Sequence, residues 1–416
     1  MSLDLPDKSA IDVICKTSHV AGIPISGGRV RRTSSRFCLG VEHGDYNGTE
    51  LFGVGTDRFI WLAYRTNDKG RIRLFSENFP DDGIIDFDMA DVPAPQSQSI
   101  AHTWARFVYG AVYVLRREGY KLIKGINGVV HGNIPGGGMS RSASLTLNLI
   151  LSLFDANGIA VNNQMRIVDL AQMIENDYIG SPCGKLDQIM ILFAKEGVGT
   201  HYNPKARSVS YIPLGSNAVE FRLVSLDTGT IRPGLEKSTY RIRRAECEEL
   251  VILLQKAGYK ISNLAGVQDA ALYEKIMTQF QPSHPALCRR LTYIYHAQRR
   301  FYEMLTAWKQ GDIETVGRIF RADGIGLRDE YEISGPELET MCDIARTIPG
   351  VLGERMLGGG DKGAAGAVVL TDRVDALQQA VDIAYPRKYP LYSDKYAVHA
   401  CKLVDGITVF DGLLGC

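Results

Sequence analysis

Apolar residues recur at helical spacing over residues 101–118, where Trp104, Phe107, Val108, Ala111, Val112 and Leu115 fall on one face. The same period returns over 165–176, through Ile167, Val168, Ala171 and Ile174. Residues 142–155 predict another helix, and 126–131 (INGVVH) a strand feeding the loop before it. Two short runs, 59–64 (FIWLAY) and 71–75 (RIRLF), flank a polar segment and predict a β-hairpin. Beyond residue 205 the pattern restarts. Strands are expected near 209–213 and 220–226, helices near 243–257, 268–280, 286–310 and 336–347, and a strand at 366–370. Strand and helix signals are mixed rather than strictly alternating, which predicts an α+β fold with mixed sheets. The expected division is into residues 1–205 and 206–416.

Composition narrows the function classes. Lys plus Arg and Asp plus Glu each total 47, so no bulk charge favours nucleic acid or an anionic membrane. The most apolar stretch, 142–154 (SASLTLNLILSLF), is too short and too rich in hydroxyls to span a bilayer. The opening MSLDLPDKSAIDV lacks the basic-then-apolar order of a signal peptide. The eight cysteines are scattered, with no CxxC pair. They are expected to be reduced thiols, several of them buried, in a cytoplasmic protein. The expected partners are small molecules, with the chain a monomer or a weak homo-oligomer.

The candidate chemistry lies in three clusters. The first, HGNIPGGGMSRSASL over 131–145, sets Gly136, Gly137 and Gly138 before a predicted helix. Bare backbone followed by a helix N-terminus can hold an anion, most naturally phosphate, with Ser140 and Ser142 adding hydroxyls. A plain strand-to-helix turn capped by either serine accounts for the triplet equally well. The second cluster places Glu42, His43 and Asp45 in a polar knot that reads as a metal site or a solvated loop. In the third, Asp187 follows a Pro-Cys-Gly turn and precedes an apolar run (IMILFA) expected to be a strand. Gly358, Gly360 and Gly363 match G-x-G-x-x-G formally. The AAGAVVL after them reads as a strand, however, and not the helix of a dinucleotide fingerprint.

The order of these segments resembles the galactokinase branch of the GHMP small-molecule kinases. Arg36-x5-Glu-His-x-Asp-Tyr-Asn-Gly is similar to that family's sugar signature, and Gly136 to Ser144 to its phosphate loop. Glu175 to Gln188 is similar to the segment with the catalytic aspartate, Ser238 to Glu248 to the Ser-x-Tyr-x-x-Arg-Arg-x-x-Cys-Glu segment, and Arg355 to Gly360 to the C-terminal glycine motif. The resemblance implies a two-domain architecture with the active site in the cleft between domains. It implies transfer of the ATP γ-phosphoryl group to the anomeric hydroxyl of galactose.

Roles follow by the same resemblance. Asp187 would sit at the C1 hydroxyl, with Arg36 beside it stabilising developing negative charge. Glu42, His43 and Asp45 would bind sugar hydroxyls, helped by Tyr240 and the backbone near Gly184. Gly136, Gly137, Gly138, Ser140, Arg141 and Ser142 would face the ATP phosphates, and Glu175 would bind Mg²⁺. Arg29 competes with Arg36 for the arginine role, but would need seven extra residues before Glu42. Arg141 departs from the pattern: it stands where the family's middle serine often ligates Mg²⁺, and a guanidinium cannot ligate a metal. Two other readings stay open, a kinase for a uronic acid such as galacturonate and a catalytically silent binder of sugar and ATP.

Overall fold

The computed structural model describes residues 4–95, 97, 100, 104–231 and 238–416. Two sheets organise it. The first carries β1 (Arg29–Gly40), β2 (Leu51–Asn67), β3 (Arg71–Ser76), β4 (Ile85–Asp88), β5 (Gly125–Gly132), β6 (Val198–Asn203) and β7 (Ser208–Pro213). The second carries β8 (Phe221–Asp227), β9 (Val351–Met356), β10 (Ala364–Leu370) and β11 (Ala397–Cys401), in the antiparallel order β11-β8-β10-β9. A late strand, β12 (Ile407–Asp411), returns to the first sheet beside β1, so its main path runs β12-β1-β2-β5-β3-β4.

The first sheet is covered on both faces. One face packs against α1 (Leu5–Ala21), through Ile11 and Ile14 with Val30 and Trp61. The other packs against α2 (Ala105–Arg117) and α3 (Arg141–Ala156), whose apolar faces close a second core. Helices α4 (Gln164–Met173) and α5 (Leu186–Leu192) follow, joined through a π-helical turn at Ile174–Ile179. The second sheet packs with α6 (Thr239–Lys256), α7 (Ala270–Phe280), α8 (Pro285–Gln310), α9 (Ile313–Asp329), α10 (Pro336–Arg346) and α11 (Val374–Lys388). The far half of β1 enters this larger core, where Phe37 stacks on Phe320 at 5.4 Å. One strand thus serves both cores, and its middle residues lie between them.

Several expectations need correction. The runs 59–64 and 71–75 form no hairpin. β5 lies between β2 and β3, antiparallel to the first and parallel to the second. Local alternation is the same for both pairings, so only the long-range partner decides. The IMILFA run is mostly helix, within α5, because a short buried apolar run has no period to separate strand from helix. The helix expected over 101–118 is α2; residues 101–103 fall outside the described set. The cysteines are not all reduced: Cys15 on α1 is joined to Cys416, while Cys38, Cys183, Cys247, Cys288, Cys342 and Cys401 are free and buried. Among the described residues, no helix is long and apolar enough to cross a membrane.

The Cys15–Cys416 bond closes a loop of almost the whole chain, and such a bond adds about 2–4 kcal/mol, chiefly by restricting the unfolded state. Cys15→Ser, or a dithiol reductant, is expected to lower the thermal unfolding midpoint of the oxidised protein. Coincident melting curves for variant and parent would show that the bond contributes nothing.

Candidate active site

Arg36 stands in the middle of β1, paired across to Gly55 of β2, and is only 1% exposed. A buried guanidinium is costly unless charged and polar partners surround it. Here Nε donates to Asp187 Oδ1 at 2.8 Å, Nη2 lies 2.7 Å from the same oxygen, and Nη1 donates to the Gly138 carbonyl at 2.9 Å. Glu42 Oε1 lies 3.8 Å from Nη2. Burial works against the charge, but Asp187 and Glu42 outweigh it and hold the arginine firmly protonated. One side chain therefore joins the sugar-signature segment, the glycine loop and the first turn of α5. Arg29 lies elsewhere, paired with Asp155 at 2.6 Å and Asp411 at 2.9 Å. Of the two arginines, only Arg36 lines the cavity described below.

The Glu42–Asp45 knot is a built wall. Burial raises the Glu42 pKa, and Arg36 and Arg355 pull it back. His43 takes a left-handed backbone conformation (φ 59°). Its Nδ1 meets the Tyr46 hydroxyl at 2.9 Å, and its ring packs on Tyr46, Tyr240 and Tyr331. Asp45 is also pushed up by burial, against hydrogen bonds donated by the Leu186 and Tyr46 amides at 3.1 and 3.0 Å. A Cβ on Gly184 would meet Asp45 Oδ2 at 1.7 Å, so only glycine lets the loop before α5 pass this carboxylate.

The glycine loop is not a simple capped turn. Ser140 occupies the N-cap of α3 in a left-handed conformation (φ 63°), without a side-chain cap bond. Its hydroxyl is buried and finds no partner among the described residues. Gly136 N–H donates to Asp227 Oδ2 at 3.3 Å. Gly137 touches the second glycine loop: its Cβ would lie 2.4 Å from the Gly363 Cα. The residues after Gly363 form the strand β10, not the helix a dinucleotide fingerprint needs.

Glu175 lies in the π-helical turn, buried. Ser142 Oγ donates to its Oε2 at 3.1 Å, and Gln188 Nε2 to its Oε1 at 3.0 Å. Burial, then the charge of Asp187, push its pKa up to about 7, and the two hydrogen bonds oppose this. Arg141 occupies the first position of α3, exposed, with its guanidinium 5.6 Å from the centre of the Phe79 ring. The hydroxyl beside Glu175 thus belongs to Ser142, one residue beyond the arginine.

All these residues line one cavity of about 780 Å³: Arg36, Glu42, His43, Asp45, Gly136, Gly137, Gly138, Ser140, Arg141, Ser142, Glu175, Gly184, Asp187 and Tyr240. That volume is ample for a small ligand and falls in the usual range of about 300–1,000 Å³. Sequence reasoning missed three aromatic residues of its lining, Phe79, Trp104 and Phe107. It also missed Asp227 and Tyr331, and quoted Arg355 only within a glycine motif. Tyr46 lay inside a quoted signature, where an aromatic among acids was an available signal.

Comparison with known proteins agrees. Residues 106–195 match the family described as GHMP kinases N terminal domain. A galactokinase of Exiguobacterium sibiricum is 33% identical over 345 residues, 83% of this chain and 85% of that one. A galactokinase of Clostridium acetobutylicum is 30% identical over 386 residues, 92% of this chain and 93% of that one. The crystal structure of Lactococcus lactis galactokinase complexed with galactose superposes with a TM-score of 0.86 at 27% identity, covering 96% of this chain and 99% of that one. On this similarity along nearly its whole length, the chain belongs to the galactokinase branch of the GHMP kinases.

Proposed function

We propose that the protein phosphorylates galactose at its anomeric hydroxyl, using ATP and releasing ADP and galactose 1-phosphate. The observation that carries this reading is the Arg36 guanidinium, which bridges Asp187 and the Gly138 carbonyl inside one cavity. Phosphoryl transfer depends on positioning and charge stabilisation, and that bridge fixes the acceptor end relative to the phosphate end. In this reading residues 1–205 supply the sugar wall and the phosphate loop, and residues 206–416 supply Tyr240 and the second glycine loop. The reaction runs in the cytoplasm, where ATP is available.

Asp187 accepts a hydrogen bond from the C1 hydroxyl and takes its proton as the new O–P bond forms and the bond to ADP breaks. Arg36 stabilises the charge that spreads over the sugar oxygen and the moving phosphoryl group. Glu42, His43 and Asp45 bind the remaining hydroxyls beside Tyr240, and an epimer leaves one of these buried groups unpaired. The loop amides and the N-terminus of α3 receive the nucleotide phosphates. Phe79, Trp104 and Phe107 offer rings for the base.

The Glu175 carboxylate and the Ser142 hydroxyl are hard oxygen donors on one wall, and they fit Mg²⁺. Bound there, the ion would neutralise phosphate charge. Arg141, at the same helix start, contributes a further cation toward the phosphates.

An ADP-release assay over a sugar panel tests the reading: galactose-dependent release is expected, uronate dependence or binding without turnover would replace it. Asp187→Asn is expected to lower kcat by at least about 100-fold while galactose still binds, measured by calorimetry. Full activity in that variant would remove the base assignment. Arg141→Ser adds an oxygen donor and removes a cation that repels the ion, so it is expected to move the Mg²⁺ titration of activity to lower concentration. An unchanged titration would mean that Arg141 does not face the phosphates.

A further inference from the structure

Four charged side chains alternate in sign along a line from β9 into the cavity. Arg355 Nη2 lies 3.2 Å from Glu42 Oε2, Glu42 Oε1 lies 3.8 Å from Arg36 Nη2, and that nitrogen lies 2.7 Å from Asp187 Oδ1. The side chains of Arg355, Glu42 and Arg36 are 0, 4 and 2% exposed, and that of Asp187 is 31% exposed. Arg355 is not among the residues lining the cavity. Nη2 also donates to the Cys38 carbonyl at 2.8 Å, and the guanidinium lies 4.4 Å from the centre of the Phe320 ring. Nε and Nη1 are buried and find no hydrogen-bond partner among the described residues. The backbone of α9 presses close: a Cβ on Gly324 would meet Arg355 Cβ at 2.6 Å.

This is an expensive place for a cation. Two of its nitrogens forgo hydrogen bonds, and the other carboxylate acting on it, Asp323 of α9, is already paired with Arg300 at 2.6 Å. What the arginine does supply is the nearer partner of Glu42. Without it, the Glu42 carboxylate would retain only Arg36, at a distance longer than a hydrogen bond. It would then turn toward Nη2 and compete with Asp187, or take up a proton. The other groups facing Glu42 are Cys38 on β1, Asp187 on α5, Asp45 in its own loop, and Tyr293 on α8, whose hydroxyl donates to the Glu42 carbonyl at 2.9 Å. None of these is a cation.

We infer that Arg355 is a positioning residue for phosphoryl transfer: it fixes Glu42, and through it the Arg36–Asp187 pair, without touching the substrate. The inference rests on the kinase reading above. The Arg355 cation favours the carboxylate form of Glu42, so its removal lets Glu42 protonate at higher pH.

The test compares wild type, Arg355→Gln, Arg355→Lys, Glu42→Gln and the Glu42→Gln/Arg355→Gln double variant, each checked for folding by thermal melting. Arg355→Gln is expected to lower kcat/KM for the sugar by roughly tenfold or more. The KM for ATP should stay within about twofold of wild type, because Glu42 faces Nη2 of Arg36 whereas the Gly138 carbonyl of the phosphate loop is held by Nη1. The acidic limb of the sugar kcat/KM profile should move to higher pH, and Arg355→Lys should recover part of the loss. In the Glu42→Gln background, Arg355→Gln should cost nothing further. A folded Arg355→Gln protein with unchanged sugar kcat/KM, equal losses toward ATP and sugar, or a loss that persists in full without Glu42 would each overturn the inference. Should Arg355→Gln not fold, Arg355→Lys carries the same three comparisons. Wild-type turnover with an unmoved variant removes this inference alone. No turnover by wild type on any sugar removes the kinase reading, and this inference with it.

Discussion

The site depends on one buried cation. Asp187, Glu42 and the Gly138 carbonyl together hold the Arg36 guanidinium inside the protein. Breaking a buried charge pair by removing one partner costs about 3–5 kcal/mol. The residues that meet there come from β1, the loop after it, the glycine loop and α5. Docking these segments and assembling the candidate active site are therefore one event. The scaffold follows from the same requirement. β1 is long enough to pass from the core under α1 into the core around α8 and α9, and Arg36 sits on the stretch between.

Around that cation the chain sets polar groups against buried walls. Glu42 and Asp45 lose water on one side and regain partners as guanidinium or backbone N–H. His43 leans on Tyr46, Tyr240 and Tyr331, and the hydroxyls of Tyr46 and Tyr331 meet at 2.7 Å. Such groups have little freedom to move.

The motifs were more legible in the sequence than the topology. Short motifs keep their spacing wherever the chain runs, and the residues expected from them to face sugar, phosphate and metal share the lining of one cavity. Helices with a clear period, such as α2 and α8, were legible as well. What failed depended on distant partners. Nothing within residues 59–75 says that β5 will separate the two runs. Nothing in IMILFA separates a buried strand from a buried helix turn. The Cys15–Cys416 bond joins positions at opposite ends of the numbering, where spacing carries no information. Arg355 escaped notice for a related reason: its partner Glu42 is remote in sequence, and an arginine beside glycines looks ordinary until both are seen buried together.

The two glycine loops have a consequence of their own. Gly137 lies so close to Gly363 that it cannot carry a side chain without moving the Gly363 backbone, and Gly363 takes a positive φ (103°) that other residues rarely adopt. Each loop is thus the mould in which the other is cast. Among descendants of this chain the two positions are bound to drift as a pair or to stay fixed. A graft of one loop from a relative would misfit unless its counterpart travelled with it.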